Sequence, residues 1–287
     1  PLQGAVPAAP RWFEEAIAVT PERQQVRVSG IDIEWLGWGA RGRPGLLLLH
    51  GGAGHADWWR FIAPFLAETH RVVAPSWGGM GNSGHRRHYP LDGFVDEMLA
   101  VAEASGLAAS GPFAAAGHSF GGFPLMALAN RPDTPLCHAI ILDTPFITNW
   151  SRDDRSQARP HRVYPSLTEA LAHFRWLPGQ PTSNLFIADF IARHSLRTVP
   201  GGYTWKFDPF LWQHFEADRS MDPLPGARCP VTLLWGAESR LMPKPMVDDM
   251  LTRLPPGTRK LAIPEAHHHL PVDQPLALVT ALRALLS

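Results

Sequence analysis

Ser119 and a loop of three histidines are the residues on which this sequence could build chemistry. Ser119 stands in "GHSFGG", residues 117–122, where Gly117-His118-Ser119-Phe120-Gly121 fits the pattern G-x-S-x-G. The pattern alone describes many glycine turns, but its setting is more specific. An apolar run, Phe113 to Ala116, precedes it, and the helix-compatible "FPLMALAN" follows. A strand-to-helix turn this tight needs small residues on either side of the serine, because the backbones pack closely. It holds the hydroxyl exposed at a helix N-terminus, where backbone dipoles favour developing negative charge. A serine hydroxyl is a poor nucleophile at neutral pH and needs a base within hydrogen-bond reach. The chain has 14 histidines. "IPEAHHHLPVDQP" follows the last expected strand and precedes the last expected helix, so His267, His268 and His269 sit on a loop that can reach back over the strand ends. A carboxylate to orient the base is the third requirement. In "LLWGAESRLMP" an apolar run stops at Gly236 and presents Glu238 beside Ser239.

The elements that must position these residues are short and apolar. "QQVRVSGIDIEWLGWG" alternates on both sides of Ser29-Gly30 and predicts a hairpin. Four runs then close on Gly or Pro: "GLLLLHGG" at Gly51, "RVVAPSWGG" at Gly78, "FAAAGHSFGG" at Gly121 and "HAIILDTP" at Pro145. Apolar on successive residues, they read as strands buried on both faces, which implies a parallel sheet with helices on each side. In "LDGFVDEMLAVAEASGL", Leu91, Phe94, Val95, Met98, Leu99 and Ala102 share one helical face, and Gly106 follows the end. "PVTLLWG" and "RKLAIP" predict two later strands and "PLALVTALRALLS" a last helix. The alternation gives an α/β fold. It fails over the 81 residues from Phe146 to Gly226, which hold eight prolines, seven of the 14 Phe and four of the 11 Trp. That stretch is too long and too apolar for a linker. It is expected to be an inserted, mainly helical lid over 146–226, with the core at 1–145 and 227–287.

These motifs resemble the α/β-hydrolase fold family, in its lidded serine esterase and haloalkane-dehalogenase-like branch, over nearly the whole chain outside the lid. The resemblance implies a mostly parallel eight-stranded sheet with helices on both faces. The family's closing loop reads much like "IPGAGH" with Gln-Pro or Glu-Pro beyond; laid on "IPEAHH" and the Gln274-Pro275 pair, it selects His268 as the base. "LLLLHGGAGHADWW" resembles the family's oxyanion loop. The implied hole takes one backbone N–H from Phe120, after the nucleophile, and one from Gly52, after His-Gly. His50 is expected to pin that loop, and His55, Trp58 and Trp59 either line a pocket or pack in the core.

The acid departs from the family's usual pattern. Where a loop like "GEKDRLVP" carries an Asp, this chain has "GAESRLMP", and Ser239 takes the Asp position. A serine can orient an imidazole but cannot offset its charge. Asp143, at the end of "AIILDTP", is the preferred substitute, as in haloalkane dehalogenases and some esterases; Glu238 is the alternative. Ser76 likewise replaces an Asp in "APSWGGMGNSG", outside the chemistry, and "HRRHYP" reads as a solvated surface.

Composition narrows the function classes. Lys+Arg and Asp+Glu are equal at 26 each in 287 residues, which gives no electrostatic reason to expect nucleic acid or an anionic membrane. No apolar run approaches the ~20 residues of a membrane span. The first residues show no signal-peptide pattern, and the start at Pro1 is compatible with a trimmed upstream segment; a cytoplasmic chain is expected. Two cysteines, Cys137 and Cys229, make neither a disulfide framework nor a zinc site and are expected to be buried thiols. No metal or organic cofactor is implied. A serine at the elbow, where dehalogenases and epoxide hydrolases of the fold use Asp, points to acyl transfer. The expected function is a serine hydrolase cleaving an ester or lactone of a small to medium apolar carbonyl substrate. The alternatives are a carbon–carbon bond hydrolase acting next to a carbonyl and a non-catalytic ligand receptor of the same fold.

Overall fold

The structure, a computed structural model, describes residues 4–146, 158–216 and 226–287. After a helix α1 (Arg11–Ala18), β1 (Glu22–Val28) and β2 (Ile31–Trp38) pair antiparallel as the alternation predicts. Ser29 and Gly30 turn the chain with φ of 46° and 89°, the left-handed geometry that matches a hairpin's twist. β3 (Gly45–Leu49), β4 (Arg71–Pro75), β6 (Phe113–His118), β7 (Leu136–Leu142), β11 (Val231–Gly236) and β12 (Arg259–Ile263) complete an eight-stranded sheet. Its order is β1-β2-β4-β3-β6-β7-β11-β12. Every neighbouring pair from β4 through β12 runs parallel. A two-residue β5 (Tyr89–Pro90) meets β10 (Phe215–Glu216), and β8 (Leu196–Val199) forms a hairpin with β9 (Gly202–Trp205).

Every residue of β3, β4 and β6 is buried, as runs without alternation require when both faces are covered. On one face α3 (Leu91–Ala104), α4 (Gly122–Ala129) and α7 (Lys244–Arg253) close a core around Phe94, Met98, Phe123, Met126 and Met250. On the other, α1, α2 (Ala63–Leu66) and α9 (Pro275–Leu286) pack around Phe13, Trp38, Leu66, Leu278 and Leu282. β12 lies at the sheet's edge, and its residues are exposed up to Ala262. Among the described residues no helix is long and apolar enough to cross a membrane.

Between β7 and β11 the described residues 158–216 hold α5 (Leu167–Ala172), α6 (Leu185–His194) and the β8–β9 hairpin, which the sequence did not announce. Ile187, Phe190 and Ile191 of α6 join the second core. The remainder of the predicted lid, 147–157 and 217–225, lies outside the described residues.

Two expectations are corrected. Cys137 is exposed and only Cys229 is buried, because on β7 Cys137 points to the opposite side of the strand from its buried neighbour Leu136. "HRRHYP" is not wholly solvated. Arg86 pairs with Glu97 of α3 at 2.9 Å, their side chains 10% and 0% exposed, and Tyr89 is fully buried. Burial pushes the Glu97 carboxyl up to about 7, against the opposing pull of Arg86 and of the Gly78 N–H. Arg86 and Glu97 are both polar types that local pattern assigns to the surface; only the packed fold brings the ion pair inside.

Candidate active site

The parallel strands converge their carboxyl ends on one region, the place where open α/β sheets bind ligands. β6 ends at His118 and turns at once through residues 119–121 into α4. Ser119 sits at the apex with φ of 51°, a left-handed conformation that costs a non-glycine residue roughly 1–2 kcal/mol. The turn leaves no room for side chains beside it. A Cβ on Gly117 would lie 2.5 Å from the Gly121 carbonyl oxygen, and one on Gly121 would lie 2.8 Å from the carbonyl oxygens of Leu49 and His50. The Thr144 hydroxyl, 2.8 Å away, donates to the Ser119 carbonyl.

His268 comes from the loop between β12 and the one-turn α8 (Leu270–Asp273). It is 2% exposed. The Ser119 hydroxyl lies 2.9 Å from its Nε2, and its Nδ1 lies 2.7 Å from Asp143 Oδ1. With Asp143 accepting from Nδ1–H, Nε2 is left as the acceptor for the serine proton. Asp143, one residue beyond β7, is fully buried with φ of 46°. Its carboxylate takes two further donors, the Gly236 N–H on Oδ2 at 2.9 Å and the Ser239 hydroxyl on Oδ1 at 2.7 Å. Glu238, the alternative acid, points elsewhere. Its carboxylate is 54% exposed and pairs with His267 Nε2 at 3.4 Å. Side chains of adjacent residues leave the loop in different directions, so Ser239 and not Glu238 meets Asp143.

The two backbone positions assigned to an oxyanion hole also come together. A Cβ on Gly52 would lie 3.8 Å from that of Phe120, and one on Gly51 would lie 3.1 Å from that of Ser119. His50 holds this loop as expected. Its Nδ1–H donates to the Gly51 carbonyl at 2.7 Å, and its Nε2 accepts the Trp77 N–H at 3.1 Å. Trp59 packs in the core, whereas Trp58 also lines a cavity of about 270 Å³. Gly52, Phe174, Trp176, Trp205, Phe207 and His269 share that cavity's wall. His55 is buried and meets the hydroxyl of Ser195, a residue of the cavity wall, at 2.9 Å. Ser76, in place of the family's Asp, donates to the buried Glu34 carboxylate at 2.9 Å. Glu34 already supplies the negative charge there, paired with Arg23.

Three contacts had no signal in the sequence: Ser239 on Asp143, Thr144 on the serine carbonyl, and His118, whose Nε2–H donates to the His268 carbonyl at 2.8 Å. Ring nitrogens of His118, His268 and His269 lie within 4.8 Å of one another. They do not make a ready metal site, because His118 Nε2 and both nitrogens of His268 are already committed.

Burial lowers the pKa of His50 and of His269 to about 3 and holds His118 well below its ordinary value. The sign of the consequence follows. Above about pH 6.5 folded and unfolded chains both hold these rings neutral. Below it the unfolded chain takes up protons that the folded chain refuses, so stability falls as the pH drops. At pH 5 His50 and His269 are each expected to cost on the order of 2 kcal/mol relative to pH 7.5, and the raised Glu97 carboxyl to return about as much as one of them. Urea midpoints measured at the two pH values check this; an unchanged midpoint contradicts it.

Known proteins agree with the architecture. A profile described as the alpha/beta hydrolase family matches residues 46–282. Human epoxide hydrolase 4 is 23% identical over 277 residues, 88% of this chain and 74% of that protein. Lipase LipV of Mycobacterium tuberculosis is 26% identical over 204 residues, 68% of this chain and 75% of that one. Among solved structures, the thioesterase domain from the curacin biosynthetic pathway superposes with a TM-score of 0.78 at 20% identity, covering 92% of this chain and 99% of that domain. By its sheet order, its elbow and this match over most of its length, the chain belongs to the alpha/beta hydrolase family.

Proposed function

We propose that the protein is a serine hydrolase that cleaves an ester or lactone of a small to medium apolar substrate through an acyl-enzyme. The observation that carries this reading is the unbroken row Ser119 Oγ, His268 Nε2, His268 Nδ1, Asp143 Oδ1, with steps of 2.9 and 2.7 Å across its two hydrogen bonds. Ser119 Oγ attacks the substrate carbonyl as its proton passes to His268 Nε2. Asp143 holds the resulting imidazolium. The Phe120 and Gly52 N–H groups stabilise the tetrahedral oxyanion, each on the order of 3 kcal/mol. Collapse expels the alkoxide, which takes the proton from Nε2, and water repeats the sequence on the acyl-enzyme. Residues 146–226 act as a cap. The aromatic wall that 174–207 contributes beside Gly52 suits an apolar acyl or alcohol group. Ser239 at the usual acid position favours a non-catalytic receptor of the same fold; the Asp143 carboxylate 2.7 Å from His268 Nδ1 supports the hydrolase instead.

The test is labelling with a fluorophosphonate together with product analysis on p-nitrophenyl butyrate. Ser119 is expected to be the labelled residue, and butyrate and p-nitrophenol are expected in equal amounts with Ser119-dependent turnover. A protein that neither labels at Ser119 nor turns over the ester is not the proposed hydrolase.

A further inference from the structure

Asp143 Oδ1 is shared. It accepts His268 Nδ1–H at 2.7 Å and the Ser239 hydroxyl at 2.7 Å. Ser239 is 6% exposed and Asp143 fully buried, so water does not substitute for either donor. The hydroxyl's own proton is committed to the carboxylate, because Ser239 Oγ accepts the Leu241 N–H at 3.3 Å. The turn that presents it is closed by the Ser239 N–H on the Gly236 carbonyl at 3.0 Å, and the same turn sends the Gly236 N–H to Oδ2. One short turn after β11 thus grips both oxygens of a carboxylate that belongs to β7.

We propose that Ser239 is a positioning residue that acts on His268 through Asp143, by way of the carboxylate oxygen that the two share. The inference rests on the serine hydrolase reading above. Two consequences follow from electrostatics. A second donor on Oδ1 restrains the carboxylate plane and with it the imidazole. Drawing charge from Oδ1 also weakens its pull on the Nδ1–H, because donors sharing one oxygen compete for its negative charge. Removing the hydroxyl should therefore loosen the geometry while strengthening that one bond. A residue that serves only to pack the loop would do neither.

The test compares Ser239→Ala and Ser239→Thr with the parent. Proton NMR of the low-field His268 Nδ1–H needs no substrate. Its resonance is expected to move downfield in Ser239→Ala and to return toward the parent position in Ser239→Thr. With p-nitrophenyl butyrate, Ser239→Ala is expected to lower kcat about tenfold with KM nearly unchanged. An Nδ1–H resonance that does not move in Ser239→Ala overturns the positioning role, whatever the turnover. Absence of ester turnover in the parent is instead a failure of the hydrolase reading, and the resonance still decides the role of Ser239.

Discussion

Ser119→Ala is expected to lower kcat/KM on p-nitrophenyl butyrate by at least about 10⁴-fold, to the level supported by binding and backbone donors alone. The hydroxyl is the only atom removed, and nothing else in the elbow can replace it. His118 is spent on the His268 carbonyl, and Thr144 on the carbonyl of residue 119 itself. The fold should hardly notice, since the elbow is set by glycine contacts and by strand β6. A second substitution separates chemistry from strain. Because residue 119 has φ of 51°, Ser119→Gly should be as inactive as the alanine variant yet more stable than it by about 1 kcal/mol. Steady-state rates and denaturant midpoints of the two variants check both halves. Residual activity within a hundredfold of the parent would remove Ser119 from the mechanism.

Asp143→Asn is expected to cost on the order of 10³–10⁴ in kcat, whereas Glu238→Gln should stay within about twofold. The asparagine fits the space but not the donors. Gly236 N–H, Ser239 hydroxyl and His268 Nδ1–H all point protons at residue 143, and an amide offers only one acceptor oxygen. Whichever way the amide turns, its NH₂ faces a donor. If it turns toward His268 it forces the tautomer that protonates Nε2 and leaves Ser119 without a base. Melting should also move to lower temperature, because one buried hydrogen bond is lost outright. Among the described residues the Glu238 carboxylate pairs with His267, at the surface, where an ion pair contributes little. Rates for both variants on one ester decide the case, and a collapse in Glu238→Gln with Asp143→Asn unharmed would reverse the assignment.

Local sequence was enough for the elbow and the strands because both are written in short range. "GHSFGG" carries its own steric demands, and runs such as "GLLLL" have one way to be buried. His268 needed the resemblance to the family, since three adjacent histidines have identical local surroundings. The acid could be narrowed to two residues but not chosen. Asp143 and His268 are 125 residues apart and Asp143 and Ser239 are 96 apart, and no periodicity reports contacts at that range. The exposed Cys137 and the buried Arg86–Glu97 pair were misread for a related reason. Exposure at a strand's first residues, and charge inside, are set by neighbours that arrive from elsewhere in the chain.

The residues proposed for proton transfer hang from the ends of core strands, while most of the cavity wall comes from the stretch between β7 and β11. This division sets how the protein can change over generations. Replacements at Phe174, Trp205 or Phe207 are expected to alter which molecule fits more than they alter the distances among Ser119, His268 and Asp143, whereas Trp176 packs on His269 beside His268. Lineages descended from this chain can therefore explore new substrates by neutral drift in that stretch, whereas a change on the strand ends is removed by selection at once. Directed evolution of the cavity wall should accordingly yield many altered specificities and few dead proteins.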